Sequence, residues 1–502
     1  MYQFIGRYGD LIIHLFDENN WNSLAELSAK TGYSKSTIWR DLEFLETILP
    51  DGWEFEKDEV RGIYLKKPKN GTFESLLGQI RSQNEYFQIL MFIIMNNGVD
   101  ITQITEKVHI SRSTAYRHLE KLKQMIEQEG VSLTISPFKL EGEEKGIRRF
   151  IVGFLEFMAF DPESVNAPKV KHSKVKEFQT TLLKLGDKYS VSFRTGALQR
   201  LTLYMFISNL RMSMGYFVEF PSAITMTYIN NKFVDFSKEL VHFMVKCPTR
   251  DIQLQEIYSY VVYLMSEERP SNRSEYLKFI RSILNSKRGE PVVKTFNILS
   301  EYIGFNLSED ETFLFYYFKK LRRMLIEVEF GIGTGRGPLL QYISYFNTNR
   351  FFKIVEEITT KIFIENNMNP KEIDILDIFL LIQSAILRKK NQFSIKGALV
   401  CRSYIEKEYI WGVLHYHFGN KIELIKIDAY SSDLRFKYDE FDLIITTDTR
   451  NLQIEHVPTI MISAVPSPSE LNKIHQFINQ KFFDQFGISQ TMIYPYTNKS
   501  FD

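Results

Sequence analysis

Residues 33–45 read YSKSTIWRDLEFL, and residues 110–122 read ISRSTAYRHLEKL. The two stretches agree at two serines, a threonine, an arginine, a glutamate and two leucines, and Trp39 stands opposite Tyr116. Self-similarity this dense over so short a span indicates a duplicated supersecondary unit. The repeat therefore decides how the N-terminal part of the chain is interpreted.

The first copy has the pattern of a helix-turn-helix. LAELSAKTG (24–32) predicts a short helix that ends at Gly32, a residue type that favours the left-handed C-terminal position. Ser34 then stands where the second helix needs an N-cap. The apolar residues that predict the buried face of the second helix recur at helical spacing: Ile38, Leu42 and Leu45.

The second copy repeats this pattern further along the chain. Ser111 is the predicted N-cap of its second helix. Apolar residues at helical spacing predict the buried faces of its two helices: Ile101, Ile104 and Val108, then Ala115, Leu119, Leu122 and Ile126. A helix-turn-helix packed in this way leaves the outer face of its second helix free to enter a groove of DNA.

The outer faces of both second helices carry cations and hydroxyl groups, which bond phosphate oxygens and base edges. The predicted DNA contacts are Lys35, Ser36, Thr37 and Arg40 in the first copy, and Arg112, Ser113, Thr114, Tyr116, Arg117 and Lys121 in the second. The second copy also has Lys123, so it is richer in cations. We expect it to contribute at least as much affinity as the first, through counterion release.

Each copy is followed by a predicted hairpin, the wing of a winged helix. In the first wing, WEFE (53–56) and GIYLKK (62–67) flank a predicted turn at residues 57–59. In the second, VSLTI (131–135) and FKLEG (138–142) flank a turn at residues 136–137. The cations suited to contact the DNA backbone are Lys57 and Arg61 in the first wing and Lys139 in the second.

Bulk properties set limits on the rest of the chain. Its 502 residues correspond to roughly three to five domains of ordinary size. A net charge of +1 neither favours nor excludes a nucleic-acid partner. Two widely separated cysteines are typical of reduced thiols. Because no apolar run reaches ~18 residues and no signal peptide is evident, we expect a cytoplasmic protein that has no membrane partner.

The segment LEGEEKGIRRF (140–150) follows the second wing and contains the pattern Gly-x-Glu-x-x-x-Arg at Gly142, Glu144 and Arg148. With the tandem units before it, the chain resembles the Mga/AtxA-type virulence regulators, a branch of the regulators that contain PTS regulation domains. The resemblance covers essentially the whole chain. It implies a multidomain, mainly α fold: two N-terminal winged helix-turn-helix units, two helical-bundle PTS regulation domains and a C-terminal α/β domain like the EIIB component of the sugar phosphotransferase system.

The periodicity along the chain agrees with this organisation. Short helices alternate with short hairpins over residues 1–160, and helical spacing prevails from about residue 165 to 393. Short strands then alternate with helices, which predicts a small, mostly parallel sheet. The expected domains are 1–68 and 69–160 for the winged units, 165–285 and 286–393 for the helical domains, and 394–490 for the EIIB-like domain. We expect the tail from Thr491 to be loose.

PTS regulation domains can be phosphorylated on histidine, in a helix about two turns before an arginine. In the first helical domain Arg211 is that arginine, and the acceptor positions hold Tyr204 and Tyr263. The corresponding positions of the second domain hold Tyr316 or Phe315 and then Leu381, opposite Arg388. No histidine occurs between His242 and His415, so phosphohistidine control of the second domain is excluded. The remaining histidine candidates are His172 and, on a helix, the better placed His242.

Cys401 stands where an EIIB domain carries its phosphorylated cysteine, at the end of the predicted strand 397–401. The loop that follows, residues 402–406, contains no glycine and includes a glutamate, which argues against a phosphate cradle. We therefore expect a degenerate module kept for assembly or sensing. His415 and His417 lie on adjacent helix faces without a third ligand, so we expect neither a metal site nor a cofactor.

The sequence favours a non-enzymatic regulator, an activator that binds double-stranded promoter DNA. The resemblance implies a global regulator that forms homodimers or larger oligomers, which we expect to assemble through the C-terminal half. A PTS phosphocarrier protein remains a candidate partner. Two alternatives stay open: an RNA-binding PTS-regulated antiterminator, and a phosphotransferase-like component. GIGTGRG (331–337) is rich in glycine, but neither a strand nor a Lys-Ser/Thr ending accompanies it, so we interpret it as an inter-helix loop.

Overall fold

The structure is a computed structural model. It describes residues 6–16, 21–127, 129–158, 172–193, 195–220, 231–243, 247–267, 273–331, 346, 349–427, 440–448, 456–489 and 492. The glycine-rich stretch 331–337 lies outside the described residues except for Gly331, and the tail after residue 490 does so except for Met492. The expectations of a loop and of a loose tail therefore stay predictions.

The first repeat folds as a three-helix unit with a hairpin. Its elements are α1 (Gly6–Leu15), α2 (Leu24–Thr31), α3 (Lys35–Ile48), β1 (Glu54–Asp58) and β2 (Gly62–Lys66). The two strands pair antiparallel. The stripe predicted for α3 is fully buried, in a core to which the hairpin contributes Phe55 and Leu65. The helix-turn-helix and the wing therefore share one hydrophobic core.

The second repeat has one additional helix at its start and otherwise the same order of elements. Its elements are α4 (Phe73–Ser82), α5 (Glu85–Met95), α6 (Ile101–Val108), α7 (Arg112–Glu127), β3 (Ser132–Leu133) and β4 (Leu140–Glu141). The predicted inner faces of α6 and α7 are buried, apart from Ile101, which is half-buried. The apolar helix α5 packs beneath them and supplies Phe87, Leu90 and Ile94 to the core.

Helices make up the described middle of the chain. They are α8 (Glu144–Phe157), α9 (His172–Tyr189), α10 (Thr195–Ser213), α11 (Asn231–His242), α12 (Arg250–Glu267), α13 (Arg273–Leu284), α14 (Glu290–Ile303), α15 (Glu311–Phe330), α16 (Arg350–Glu365) and α17 (Glu372–Gln392). As far as this stretch is described it contains no strand, as the periodicity predicts. None of the helices among the described residues is long and apolar enough to span a membrane.

The C-terminal part forms the predicted small parallel sheet. Its elements are β5 (Ile395–Val400), α18 (Tyr404–Phe418), β6 (Ile422–Ile427), β7 (Leu443–Thr446), β8 (Thr459–Met461) and α19 (Pro468–Phe486). The strand order is β6-β5-β7-β8, and all three pairings are parallel. Strand β5 is central and apolar because both of its faces are covered, as is typical of parallel sheets.

The chain divides into two compact units. The first contains Met1–Arg273, Phe318–Thr348 and Met368–Leu376, and the second contains Ser274–Tyr317, Asn349–Asn367 and Asp377–Asp502. Within the first unit, the core of the second helix-turn-helix continues without a break into helices α8 to α12. The second winged unit and the helices that follow it are therefore built around one core.

Candidate nucleic-acid interface

Local capping fixes where recognition helix α3 begins. The preceding helix α2 starts with a capping box formed by Ser23 and Glu26, and it ends at Gly32 in the left-handed conformation, with φ 76°. Two residues later, the hydroxyl oxygen of Ser34 accepts a hydrogen bond from the backbone N–H of Thr37 at 3.2 Å. The predicted turn and N-cap are confirmed, and they hold the first turn of α3 at the surface.

The second recognition helix, α7, begins in the same way. Asp100 and Gln103 form the capping box of α6, and Ser111 Oγ accepts from the backbone N–H of Thr114 at 3.1 Å. The left-handed position that Gly32 fills in the first copy belongs here to His109, with φ 59°. This role of His109 could not be predicted from its residue type, because a non-glycine residue seldom adopts that conformation.

The hydroxyl groups predicted to contact DNA belong to these caps. Ser34 Oγ lies 3.1 Å from Ser36 Oγ and 2.8 Å from Thr37 Oγ1, and the second copy has the same two contacts at 3.0 and 2.9 Å. Ser36 and Ser113 are exposed. The hydroxyl groups are therefore held in place before any ligand arrives.

The two recognition helices differ in charge. Helix α3 contains two cations, Lys35 and Arg40, against three carboxylates. Helix α7 contains four cations against two carboxylates. Among the described residues no ion pair engages any of those four: Arg112, Arg117, Lys121 and Lys123. Because uncompensated cations release counterions from DNA, α7 is the stronger electrostatic surface.

Two contacts orient cations on α7 without neutralising them. Arg112 donates a hydrogen bond to Thr102 Oγ1 at 3.0 Å, and the Lys121 ammonium group lies 5.7 Å from the ring centre of Tyr86. Arg117 and Tyr116 are exposed on the same helix. The predicted contacts of the second copy are thus brought together on one exposed surface.

The cations of the first wing are largely compensated. Lys57 Nζ lies 2.7 Å from Glu46 Oε2, and Arg61 lies 3.4 Å from Asp58 Oδ2. Lys66 is paired with two carboxylates of the opposite strand. Exposed pairs of this kind are weak, yet each leaves less net charge for a phosphate. The first wing therefore offers little net positive charge.

The predicted position of the first turn was wrong by two residues. Strand β1 continues through Lys57 to Asp58, so the turn comprises residues 59–61. Asp58 Oδ1 accepts hydrogen bonds from the backbone N–H groups of Val60 and Arg61 at 2.9 and 2.8 Å, and so closes the turn after itself. Lys57 consequently lies in the strand, and Arg61 lies in the turn.

The second wing is shorter than its sequence predicts. Only Ser132 and Leu133 pair with β4. The backbone N–H of Thr134 still donates to the carbonyl of Lys139 at 3.0 Å, but the Thr134 side chain takes the place of the reciprocal backbone bond. Its hydroxyl oxygen accepts from the backbone N–H of Lys139 at 3.1 Å and donates to the carbonyl of Pro137 at 2.5 Å. The hairpin remains, but six of its ten predicted strand residues lie outside the two paired strands.

The Gly-x-Glu-x-x-x-Arg segment builds a buried ion network that sequence reasoning did not predict. Arg148 on α8 and Glu256 on α12 are both fully buried, and they form two hydrogen bonds, at 2.7 and 2.8 Å. Burial lowers the pKa of Arg148, but the neighbouring groups, Glu256 first among them, together raise it by more. The net pKa lies above its ordinary value, so the guanidinium stays charged. A charged pair far apart in sequence thus stands inside the core.

Glu144 extends this network to a third helix. Its carboxylate lies 2.9 Å from Arg148 Nε and 2.6 Å from Arg211 Nη2 on α10. The guanidinium of Arg211 also stacks 3.9 Å from the ring centre of Tyr216, whose hydroxyl donates to Asn97 at 2.7 Å. Asn97 directly precedes the second helix-turn-helix, so polar contacts join that unit to the helices after it.

The expected phosphoacceptor positions of the first helical region lie inside the core. Tyr204 and Tyr263 are almost completely buried, and their rings stack with centres 4.6 Å apart. Burial raises the pKa of both hydroxyl groups. Arg211, which would follow the acceptor histidine, is buried and paired with Glu144. The two positions therefore form a packed aromatic pair.

The remaining expected phosphoacceptor positions lie on different helices. His242 is exposed at the end of α11, and His172 is the first residue of α9. In the second helical region Phe315 is buried, while Leu381 is half-buried, and Arg388 is paired with Asp310 at 2.8 Å.

Cys401 lies directly after β5. The loop that follows it, where a phosphate cradle would be expected, is already hydrogen-bonded to other groups of the protein. Arg402 donates from its side chain to the carbonyl oxygen of Thr447 at 2.9 and 2.6 Å and from its backbone N–H to the Thr447 hydroxyl at 3.3 Å. Ser403 accepts from the backbone N–H of Glu406 and caps α18. Burial raises the pKa of the Cys401 thiol, which disfavours the nucleophilic thiolate.

His415 and His417 are both exposed on α18. Within the described ranges, no group of three or more His, Cys, Asp or Glu side chains is placed to hold a metal ion.

Comparison with known proteins agrees with this geometry. Residues 69–155, which span the second winged unit, match the family model of the Mga helix-turn-helix domain. The chain is 22% identical to the capsule synthesis positive regulator AcpB of Bacillus anthracis over 483 residues, which are 92% of this chain and 96% of that protein. It is 20% identical to the anthrax toxin expression trans-acting positive regulator of the same organism over 471 residues, 93% and 97% of the two chains.

Tandem winged helix-turn-helix units with exposed recognition helices define the chain as a helix-turn-helix transcriptional regulator. A third similarity, 22% identity over 319 residues to the capsule synthesis positive regulator AcpA of Bacillus anthracis, covers 62% of this chain and 64% of that protein. The matched domain and the near full-length relatives support a regulator of the Mga/AtxA type.

Proposed function

We propose that this chain binds double-stranded promoter DNA and activates transcription, with helix α7 supplying most of the affinity. The observation that carries the proposal is the cationic surface of α7, where exposed Arg112, Arg117 and Lys121 and half-buried Lys123 pair with no described carboxylate. The positive regulators among its relatives support activation over repression. The names of these relatives concern capsule and toxin expression.

The class of nucleic acid is tested by competition. Full-length protein is titrated with a labelled promoter-length duplex at physiological salt, and unlabelled duplex or stem-loop RNA of equal length is added. We expect the duplex to displace the probe at much lower concentration than the RNA, because a helix enters the wide major groove of B-form DNA and not the deep, narrow groove of RNA. Preferential displacement by stem-loop RNA would instead support an antiterminator.

We further propose that the chain forms homodimers or larger oligomers through its C-terminal half. Helix α18 exposes Ile405, Tyr409 and Tyr416, whose spacing places them on one face together with Gly412. A Cβ at Gly412 would meet no atom within 4 Å, so another backbone has room to approach there. A face of this kind is self-complementary when two copies pair around a two-fold axis.

The oligomer is tested by solution mass. Light scattering of the full chain is expected to give at least twice the chain mass, and Tyr409→Lys with Tyr416→Lys is expected to reduce the mass towards one chain, because two buried charges oppose association. Tyr302→Lys, a change of a comparably exposed tyrosine on α14, serves as control and should not alter the mass. An unchanged mass in the double variant would count against α18 as the contact.

We propose that the helical middle corresponds to two PTS regulation domains, at residues 165–285 and 286–393, and the C-terminal part to an EIIB-like domain. Regulation by a PTS phosphocarrier is a secondary proposal, for which exposed His242 is the best acceptor. Phosphotransfer at Cys401 ranks lower, since the neighbouring N–H groups already have partners. We accordingly propose a regulator without enzymatic activity.

A further inference from the structure

Both recognition helices expose one large aromatic residue at the same place in the repeat. The exposed fraction is 41% for Trp39 and 52% for Tyr116. Each stands five residues after the serine that caps its helix. A single exposed aromatic residue is ordinary at a protein surface, but its recurrence in both copies at one position indicates a shared use.

The aromatic residue lies on the face that each helix would turn towards DNA. In α3 the exposed residues Lys35, Ser36, Trp39 and Arg40 fall at helical spacings of one, four and five. The second helix has the same set: Arg112, Ser113, Tyr116 and Arg117. Each ring is therefore flanked by two cations, which are suited to the phosphates on either side of a groove.

Contacts within the chain determine which groups of each ring remain available to DNA. The indole N–H of Trp39 donates to Glu43 Oε1 at 2.8 Å, and Lys57 Nζ lies 5.2 Å from the ring centre. Since its one polar group is already bonded, Trp39 offers hydrocarbon and no hydrogen bond to a base edge. Tyr116 is steadied by an edge-to-face contact with Phe138 of the wing, at 6.5 Å between ring centres.

We propose that Trp39 and Tyr116 read the C5-methyl group of thymine in the major groove. That methyl is the apolar group which the base pairs display in this groove, and apolar side chains recognise it by contact. The inference rests on the proposed DNA binding and deepens it. It gives each winged unit a preference for an A·T pair facing its recognition helix, while the flanking cations bind the backbone.

The test removes the methyl group from DNA. A promoter-length duplex is selected from a random pool by the full chain and then remade with deoxyuridine in place of every thymidine. We expect the wild-type chain to bind the uracil duplex about 15-fold more weakly, because burial of one methyl group corresponds to about fourfold in affinity and two are lost. The variant with Trp39→Ala and Tyr116→Ala should bind both duplexes equally.

Two control variants keep the test specific. Tyr116→Phe retains the ring and should retain the thymine preference, as should Phe44→Ala, which removes another exposed aromatic residue of α3 from a different face. Equal binding of the two duplexes by the wild-type chain would overturn the inference and leave the proposed function intact. So would an alanine variant that still prefers thymine. Failure to bind any duplex would overturn both.

Discussion

Reversing two charges on helix α7, with Arg112→Glu and Arg117→Glu, is expected to weaken duplex binding by about two orders of magnitude or more at physiological salt. Each lost phosphate contact removes about one unit from the slope of log affinity against log salt, so the slope should become shallower by about 2. Repulsion between the new carboxylates and phosphates adds to this loss. Titration of a labelled duplex at several salt concentrations measures both quantities.

The fold should tolerate these two substitutions. Both side chains are exposed, and a carboxylate at position 112 lies in the first turn of α7, where it interacts favourably with the helix dipole. Arg112 gives up one hydrogen bond, to the exposed hydroxyl of Thr102. A loss of DNA binding would therefore reflect the changed surface and not unfolding.

The first wing provides the matched control, Lys57→Glu with Arg61→Glu. These cations already pair with Glu46 and Asp58, so their reversal is expected to weaken binding by less than about tenfold. If the wing variant lost as much affinity as the α7 variant, the two units would share the charge contacts equally. If the α7 variant bound DNA as well as the wild type, the proposed interface would be wrong.

Replacing Glu256 by glutamine is expected to destabilise the helices around it by about 3–5 kcal/mol, because it leaves a buried guanidinium without its main counter-charge. The carboxylate is fully buried, bonds Arg148 twice and also accepts from the backbone N–H of Val218 at 3.2 Å. Glutamine keeps one acceptor oxygen for Val218 N–H and Arg148 Nη2 but turns an NH2 donor towards Arg148 Nη1, so the loss combines the missing charge with one broken hydrogen bond. Amide hydrogen exchange in peptides from α8 and α12 measures the local free energy of opening.

An exposed ion pair of the same unit serves as control. Asp235 lies 3.0 Å from Lys238 on α11, and its replacement by alanine should change stability by less than about 1 kcal/mol. The double variant Glu256→Gln with Arg148→Met removes both buried charges and should be more stable than Glu256→Gln alone, since Glu144 keeps Arg211 as its partner. An equal loss in Glu256→Gln and Asp235→Ala would show that the buried pair has no special weight.

Features set by neighbouring residues could be predicted from the sequence alone. The caps at Ser34 and Ser111, the left-handed turn at Gly32 and the buried stripes of α3 and α7 depend on residues within a few positions of one another. The parallel sheet followed from its alternation of apolar strands and helices. The first turn was predicted two residues too early, because the sequence does not show whether Asp58 ends the strand or belongs to the turn.

What only the tertiary structure decided is which charges remain available. Lys57 and Arg117 are both cations that the sequence predicts to contact DNA. Lys57 forms an ion pair with Glu46, whereas Arg117 pairs with no described carboxylate. The sequence identified Arg148 only as part of a segment that links two domains. Its main partner, Glu256, is 108 residues away along the chain, so the pair could not be predicted. Coulombic pairing and burial depend on separation in space, whereas capping and periodicity depend on separation along the chain.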